Sequence, residues 1–258
     1  MLITIIFIFG LLIGSFLNVC IYRMPKRESI VLPASHCPGC KKPIPWYDNI
    51  PLLSYIALGG KCRFCKMGIN LRYPLVEALT ASVLAALFVT FDITPKFFAY
   101  SIMACGLIVA TFVDFEIQEI PDEISLGGIA AGFFLAFVFP SVMGEAVRSR
   151  AILGSLSGAI TGGGIIYLLG VAGKIAFKKE AMGGGDVKLM AMLGSFLGLK
   201  LVVLTFFIAP FLGVVPGIIL KFRKGAETIP YGPFLSAAAL ISVFFGDQII
   251  RLLFGGLF

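Results

Sequence analysis

Four of the six cysteines form two C-x-x-C pairs, a spacing that is typical of metal sites. Cys37 and Cys40 make the first pair, and Cys62 and Cys65 follow after 21 intervening residues. Two such pairs predict a tetrahedral zinc site with four thiolate ligands, which is structural because no position stays open for chemistry. Two disulfides are the alternative. The single histidine, His36, is either a competing ligand or an exposed loop residue.

Two aspartates flank apolar runs, where ionisable groups are costly and are candidates for function. Asp114 follows the third apolar run directly, and Asp186 precedes a short sixth run. A facing carboxylate pair suits acid–base hydrolysis, because like charges keep one group protonated while the other activates water. The alternative is that both aspartates are solvated loop residues.

The residues around the two aspartates could support them. Gly183, Gly184 and Gly185 would let an extended peptide approach Asp186, although such a run is also typical of a flexible loop. Lys188 could lower the pKa of that aspartate or anchor its helix at the membrane interface. Asp122 follows Pro121 and is expected to be an N-cap. The remaining acids of this segment are expected to be solvated: Glu116, Glu119 and Glu123.

Glu77 lies near the start of another apolar run and is costly there unless it is paired. Arg72 or Lys188 could be its partner, in a functional site or in a purely structural ion pair. Asn18 and Arg23 could line the access route of a substrate, or simply pack at the interface. Two further cysteines within apolar runs are expected to be buried: Cys20 and Cys105.

These residues belong to a very apolar chain. Of its 258 residues, 59% are hydrophobic and 14% are charged, and the mean hydropathy is +1.00. Soluble domains have about 25% charged residues, so an ordinary water-soluble enzyme and a disordered chain are excluded. A spanning helix needs about 20 apolar residues. The sequence therefore predicts an all-α polytopic membrane protein of about eight transmembrane helices, one short or re-entrant, over 1–21, 74–91, 97–113, 124–140, 151–171, 189–199, 201–220 and 234–250.

The basic residues predict the orientation of these helices. An N-terminus on the outside gives inner loops at 22–73, 114–123, 172–188 and 221–231, which carry sixteen of the 21 Lys and Arg residues. Such an excess is typical of cytoplasmic loops. The cysteines then lie in a reducing compartment, which favours metal over disulfides. The net charge of +7 is accounted for by this asymmetry, without nucleic acid as a partner. No internal repeat is evident.

The order and spacing of several motifs resemble those of the bacterial type IV prepilin peptidases. The resemblance runs nearly from end to end, and it departs at Tyr231, where that family more often has Phe. It is carried by the two cysteine pairs, by Asp114 seven residues before Pro121-Asp122, and by four further motifs: Gly14-Ser15-Phe16-Leu17-Asn18-Val19 with Tyr22-Arg23 and Pro25, Arg72-Tyr73-Pro74-Leu75-Val76-Glu77, Gly183-Gly184-Gly185-Asp186-Val187-Lys188, and Ile229-Pro230-Tyr231-Gly232-Pro233-Phe234-Leu235.

The resemblance implies a membrane-embedded aspartic endopeptidase with Asp114 and Asp186 as catalytic residues. Its substrates would be prepilins or pseudopilins, whose short basic leader is removed at the cytoplasmic face of the bacterial inner membrane. The family typically also methylates the new N-terminus with S-adenosylmethionine, and the cysteine module, Arg72 and Glu77 are candidates for supporting that step. The expected partners are these substrates and membrane lipid.

The implied organisation has three parts. They are a first transmembrane helix over 1–21, a cytoplasmic zinc-binding module over 22–73 and a membrane-embedded peptidase domain over 74–258. Two alternatives remain open at this point. One is a peptidase without methyltransferase activity, and the other is a transporter or channel with a zinc-stabilised cytoplasmic module.

Overall fold

The chain folds into helices, as its composition predicts. The computed structural model describes residues 1–178, 182–224 and 230–255, and within them it contains no strand. Two predicted loops lie partly outside the described residues. These parts are 225–229 of the loop 221–231 and 179–181 of the loop 172–188. The helices are α1 Leu2–Arg23, α2 Leu53–Ala57, α3 Arg72–Phe91, α4 Pro95–Ile117, α5 Asp122–Val138, α6 Arg148–Phe177, α7 Gly184–Lys224 and α8 Gly232–Phe254.

Six helices of the described chain are long and apolar enough to cross a membrane: α1, α3, α4, α6, α7 and α8. The fifth helix, α5, has 17 residues and is shorter than the usual span of about 20. The eight predicted runs map onto α1, α3, α4, α5, α6, two arms of α7, and α8. The all-α polytopic architecture is confirmed, with six helices that qualify as candidate spans, one of them, α7, in two arms.

Internal contacts divide the chain into two compact units, 1–92 and 93–258. This division differs from the predicted boundaries after 21 and 73, because α3 packs along α1. The two helices run antiparallel: Gly10 lies against Ala81, and Asn18 donates from Nδ2 to the Tyr73 carbonyl at 3.0 Å. The assignment of functions to the three predicted parts stays a prediction.

Two equivalent loops carry the cysteine pairs between α1 and α3. In the first loop the Cys37 N–H donates to the Lys42 carbonyl at 3.0 Å, and in the second Cys62 donates to Met67 at 2.8 Å. Each loop is closed by an isolated β-bridge, which joins His36 to Pro43 in the first loop and Lys61 to Gly68 in the second. Every one of these positions recurs after 25 residues. The expectation of no internal repeat was therefore wrong for this segment.

Helix α7 of the second unit reverses direction at Gly198. This residue has φ 70° and ψ −178°, a region that is accessible almost only to glycine. A β-carbon placed on Gly162 of α6 would meet both the Met190 carbonyl and the Val202 side chain. In a straight helix, the twelve positions from Met190 to Val202 would put these groups about 18 Å apart. The arms 184–197 and 199–224 therefore fold back on each other, as the two separate apolar runs predict.

The turn at Gly198 defines one end of the second unit. It lies near Met143, which follows α5, and near the Gly154 carbonyl in the early part of α6. At the opposite end, Gly232 at the start of α8 contacts Asp114 at the end of α4. Lys188 at the start of α7 contacts Asp122 at the start of α5. The helices thus alternate in direction, and the predicted acidic site residues of this unit share one end.

Candidate active site and metal centre

The four paired cysteines converge on one point of the first unit. The Sγ atoms of Cys37, Cys40, Cys62 and Cys65 all lie within 4.8 Å of one another, and those of Cys37 and Cys65 are 3.7 Å apart. A tetrahedral site with zinc–sulfur bonds of about 2.3 Å has sulfur–sulfur edges of about 3.8 Å. The four thiols are therefore close enough to hold a tetrahedral metal ion after shifts of about 1 Å or less in their separations. His36 stands outside this group, with its Nδ1 3.2 Å from the Ala34 carbonyl.

Backbone N–H groups of the second loop point at the cysteine sulfur atoms. Donation from the N–H groups of Cys65 and Phe64 lowers the pKa of the Cys62 thiol to about 6, well below the ordinary value of about 8.5. Such donors favour the thiolate over the thiol. The Met67 N–H favours the Cys65 thiolate too, but desolvation and the contacts with the other cysteines raise the pKa of Cys65 to about 11. Since metals bind the thiolate, Cys62 is already prepared for a metal ion, whereas Cys65 loses its proton on binding.

A bidentate ion pair ties the second cysteine loop to the segment that precedes α2. Arg63 donates from Nε and Nη2 to the two Asp48 carboxylate oxygens at 2.7 and 2.6 Å. The guanidinium of Arg63 also lowers the pKa of Asp48. At the start of the module, Arg23 donates to the Ser29 and Pro33 carbonyls at 2.8 and 2.7 Å. Arg23 thus holds the backbone of the module.

Asp114 lies in the last turn of α4 and is almost fully buried, with 5% exposure. Its Oδ2 atom accepts a hydrogen bond from the Gly232 N–H at 2.9 Å. The first N–H groups of a helix have no partner within the helix, so the start of α8 supplies a donor for this carboxylate. Asp114 is therefore a buried, oriented carboxylate and not a solvated loop acid.

Asp186 lies in the first turn of α7 and accepts a hydrogen bond from the Gly183 N–H at 3.3 Å. Asp114 is close enough for the two carboxylate charges to interact. Tyr231 is the N-cap of α8, next to Gly232, and burial and then the charge of Asp186 raise its pKa to about 12. Helix packing therefore brings together two acids that are 72 positions apart in the sequence.

Ile120 follows α4, which carries Asp114, and packs between the starts of α7 and α8. Its side chain lies against Gly185 of α7 and against Gly232 of α8, at 3.2 and 3.4 Å from a β-carbon placed on each glycine. It is 8% exposed. Gly184 and Gly185 form the start of α7, so only Gly183 of the three glycines precedes the helix.

Lys188 pairs with Asp122, at 2.6 Å between Nζ and Oδ1. The sequence instead predicted Lys188 beside Asp186 or in an ion pair with Glu77. The prediction that Asp122 is an N-cap was wrong, because the N-cap residue of α5 is Pro121 and no side chain caps the helix. Asp122 is instead the first helical residue and reaches across to α7. The neighbouring acids are exposed as predicted: Glu116, Glu119 and Glu123.

Glu77 and Arg72 both lie on α3, in the first unit. Glu77 accepts a hydrogen bond from the Leu52 N–H at 2.9 Å and a second one from the Ser15 side chain. Arg72 places its guanidinium over the Tyr73 ring, 5.2 Å from the centroid, and its backbone N–H donates to Asn70.

Three residues of the site escaped the sequence analysis. Gly232 and Tyr231 belong to the motif at 229–235, to whose residues the sequence assigned no function. Ile120 is an apolar residue in an acidic segment. One signal could have identified Gly232: it lies close to the start of a predicted helix, and the N–H groups at helix starts bind carboxylates.

The chain is similar to known proteins over nearly its whole length. Two family models match it, the Bacterial Peptidase A24 N-terminal domain over residues 8–91 and the Type IV leader peptidase family over residues 101–218. A prepilin leader peptidase/N-methyltransferase of Pseudomonas aeruginosa is 36% identical, over 94% of this chain and 90% of that protein. No solved structure matches.

Two further relatives have matching names and similar coverage. A type 4 prepilin-like proteins leader peptide-processing enzyme of Escherichia coli is 35% identical, over 91% of each chain. A prepilin leader peptidase/N-methyltransferase of Neisseria gonorrhoeae is 31% identical, over 95% of this chain and 91% of the relative.

Proposed function

The chain belongs to the type IV leader peptidase family, and we propose that it cleaves the leader of prepilins or pseudopilins with Asp114 and Asp186 and then N-methylates the new N-terminus. The observation that carries the peptidase assignment is the meeting of two carboxylates from α4 and α7 at one end of the second unit. Asp114 is oriented there by Gly232, and its charge interacts with that of Asp186.

The two carboxyl groups act as an acid–base pair. Two like charges in one site leave one carboxyl group protonated and the other ionised. The ionised group takes a proton from water, and the water oxygen attacks the scissile carbonyl. The protonated group donates a hydrogen bond to the carbonyl oxygen. When the C–N bond breaks, the leaving amine takes up the proton that the ionised group accepted from water. Gly232 keeps the Asp114 carboxylate in place through these steps.

The substrate reaches this site from the cytoplasmic side of the bacterial inner membrane. The loops assigned to that side carry most of the basic residues, as cytoplasmic loops do. The connection between α4 and α5 and the start of α7 lie at the same end as the aspartates. A prepilin inserted through its apolar helix presents its leader at this interface, while membrane lipid surrounds the apolar helices.

Zinc is the metal of the cysteine cluster, where it has a structural role. Four thiolates suit Zn²⁺ in a tetrahedral geometry and leave no position for a reacting group. The four sulfur atoms already lie within 4.8 Å of one another, and one pair is at the separation that such an ion requires. A small polar segment with few apolar residues gains folding energy from the metal.

S-adenosylmethionine is the methyl donor that the second activity requires. The residues that were expected to support it do not form an open site. Glu77 is engaged by Leu52 and Ser15, and Arg72 lies over Tyr73. No step through the donor is therefore assigned to these two residues.

One reaction tests both activities. The purified protein is incubated with a prepilin and S-adenosylmethionine carrying a labelled methyl group, and the product is analysed by mass spectrometry. We expect a pilin without its leader and with one labelled methyl on the new N-terminus. Cleaved but unmethylated pilin would show that the protein is a peptidase without methyltransferase activity. An intact prepilin would overturn the proposal.

A transporter or channel is not favoured. A transport site is expected near the membrane midplane, whereas Asp114 and Asp186 lie at helix ends. The names of the relatives also describe processing enzymes.

A further inference from the structure

Glu77 is a buried carboxylate on a membrane helix, and its hydrogen bonds reach outside that helix. It is 8% exposed, and its Oε2 atom accepts the Leu52 N–H at 2.9 Å. Ser15 of α1 binds the same carboxylate. Hydrogen bonds to ionised acceptors are about twice as strong as neutral ones, and a carboxylate in an apolar place needs such partners. Glu77 therefore joins the α1–α3 hairpin to the segment that carries the cysteines.

The backbone that Glu77 binds is strained. Leu52 has φ 59° and ψ −49°, and the Leu53 N–H donates to the Pro51 carbonyl at 2.6 Å. These are the features of a γ-turn with positive φ, a rare and strained turn. A side chain at such a φ persists only where the surroundings enforce it. The single external contact that the structure gives the Leu52 N–H is Glu77, so this carboxylate can enforce the turn.

A chain of hydrogen bonds continues from the turn to the second cysteine loop. The Ser54 hydroxyl accepts the Ile50 N–H at 3.0 Å and donates to the Tyr47 carbonyl at 2.9 Å. Asp48, next to Tyr47, forms the bidentate ion pair with Arg63. Arg63 lies between the two metal-ligating positions of that loop, Cys62 and Cys65. The path therefore leads from a membrane helix to the proposed metal ligands.

We propose that Glu77 is a positioning residue whose carboxylate holds the Pro51–Leu53 turn and thereby fixes the second cysteine loop on the α1–α3 hairpin. The relevant property is an acceptor at this position, not a charge that takes part in a reaction. The inference goes beyond the proposed activities, and its test needs neither prepilin nor methyl donor.

The test compares Glu77→Gln, which keeps an acceptor, with Glu77→Leu, which has a similar size and none. Amide hydrogen exchange is measured on the purified full-length proteins, at 50–54 and in the second cysteine loop at 62–67. We expect Glu77→Leu to exchange about tenfold faster in both segments, since it loses a hydrogen bond to a charged group. Glu77→Gln keeps a neutral acceptor, so its exchange rates should lie between those of the wild type and those of Glu77→Leu.

A second substitution, Leu52→Gly, distinguishes loss of the Glu77–Leu52 hydrogen bond from general misfolding. Glycine adopts φ near +59° without strain, so Leu52→Gly removes the need to enforce the turn. In the Glu77→Leu background, it should slow exchange at 62–67 towards the wild-type rate, which a misfolded protein would not do. Equal rates in Glu77→Gln and Glu77→Leu, unchanged exchange at 62–67 in Glu77→Leu, or no recovery in the double variant would each overturn the proposal.

Discussion

Gly232 donates its backbone N–H to the Asp114 carboxylate at 2.9 Å, although 118 positions separate the two residues. The bond joins the end of α4 to the start of α8, and it leaves the Asp114 side chain little freedom. The glycine is also sterically required. A β-carbon at position 232 would lie 2.8 Å from Asp114 Oδ2, closer than real β-carbons approach other atoms. The start of the last helix is therefore a part of the aspartate site.

Gly232→Ala should lower the rate of leader cleavage. The added methyl group displaces the carboxylate, and a misplacement of about 1 Å can cost about 100-fold in rate. We expect kcat to fall by at least tenfold, with little change in the amount of folded protein. Gly164→Ala in α6 is the matched control, because a β-carbon there meets nothing within 4 Å. Equal kcat values for the two variants would contradict the steric argument.

Asp114→Asn and Asp186→Asn should each abolish leader cleavage. An amide neither accepts the proton of the attacking water nor shares a proton with its partner, so a loss of about 10³-fold or more is expected. Cleavage of a prepilin is followed by gel mobility and mass spectrometry. Methyl transfer to a pilin whose leader has already been removed is the control for folding. Cleavage at the normal rate by either variant would remove that residue from the proposed pair.

Gly198→Ala should destabilise the second unit. The backbone there has φ 70°, and forcing a side chain into this region costs about 1–3 kcal/mol. Thermal unfolding in detergent should show a lower midpoint than for wild type, whereas Gly164→Ala should not. An unchanged midpoint would mean that α7 does not need the reversal at this residue.

Metal binding to the cysteine cluster should release fewer than four protons at about pH 7.5. The folded loop lowers the pKa of Cys62 to about 6, so this thiol has already lost its proton. A lowered pKa stabilises the metal-free loop above the ordinary thiol value of about 8.5, and this contribution is lost as the pH falls through about 6. Proton release should therefore rise at about pH 5.5.

Calorimetry in buffers of different ionisation enthalpy gives the proton count, and elemental analysis should find about one zinc per chain. Cys62→Ser is the matched variant, because it removes the pre-ionised ligand. Release of four protons at both pH values would contradict the role of the loop N–H groups.

The sequence predicted the helices well where a strong physical signal was present. The apolar runs predicted α1, α3 and α4, because lipid requires long uninterrupted stretches of apolar residues. Lys200 separates the runs 189–199 and 201–220, close to the reversal of α7 at Gly198, but the path of the chain between 189 and 220 could not be predicted. The cysteine spacing predicted the cluster, because metal geometry fixes it locally.

The contacts between distant side chains were harder to predict. Asp122 and Lys188 are 66 positions apart, and nothing in either local sequence specifies the other as a partner. The pairing of Glu77 with a backbone N–H was equally hidden, because every non-proline residue carries such a donor. The repeat of the two cysteine loops escaped notice because it is preserved in backbone contacts, while most side chains differ.

The short first arm of α7 has a consequence for the access of water. Its fourteen residues, 184–197, cover about 21 Å at 1.5 Å per residue, whereas the hydrocarbon core is about 30 Å thick. The middle and end of the arm are buried among other helices, for example at Met190, Leu193 and Phe196, so protein and not lipid surrounds it there. Exposure is confined to the first turns, which carry Asp186. Water, the second reactant of a hydrolysis, therefore has its access to the aspartate at the start of this arm.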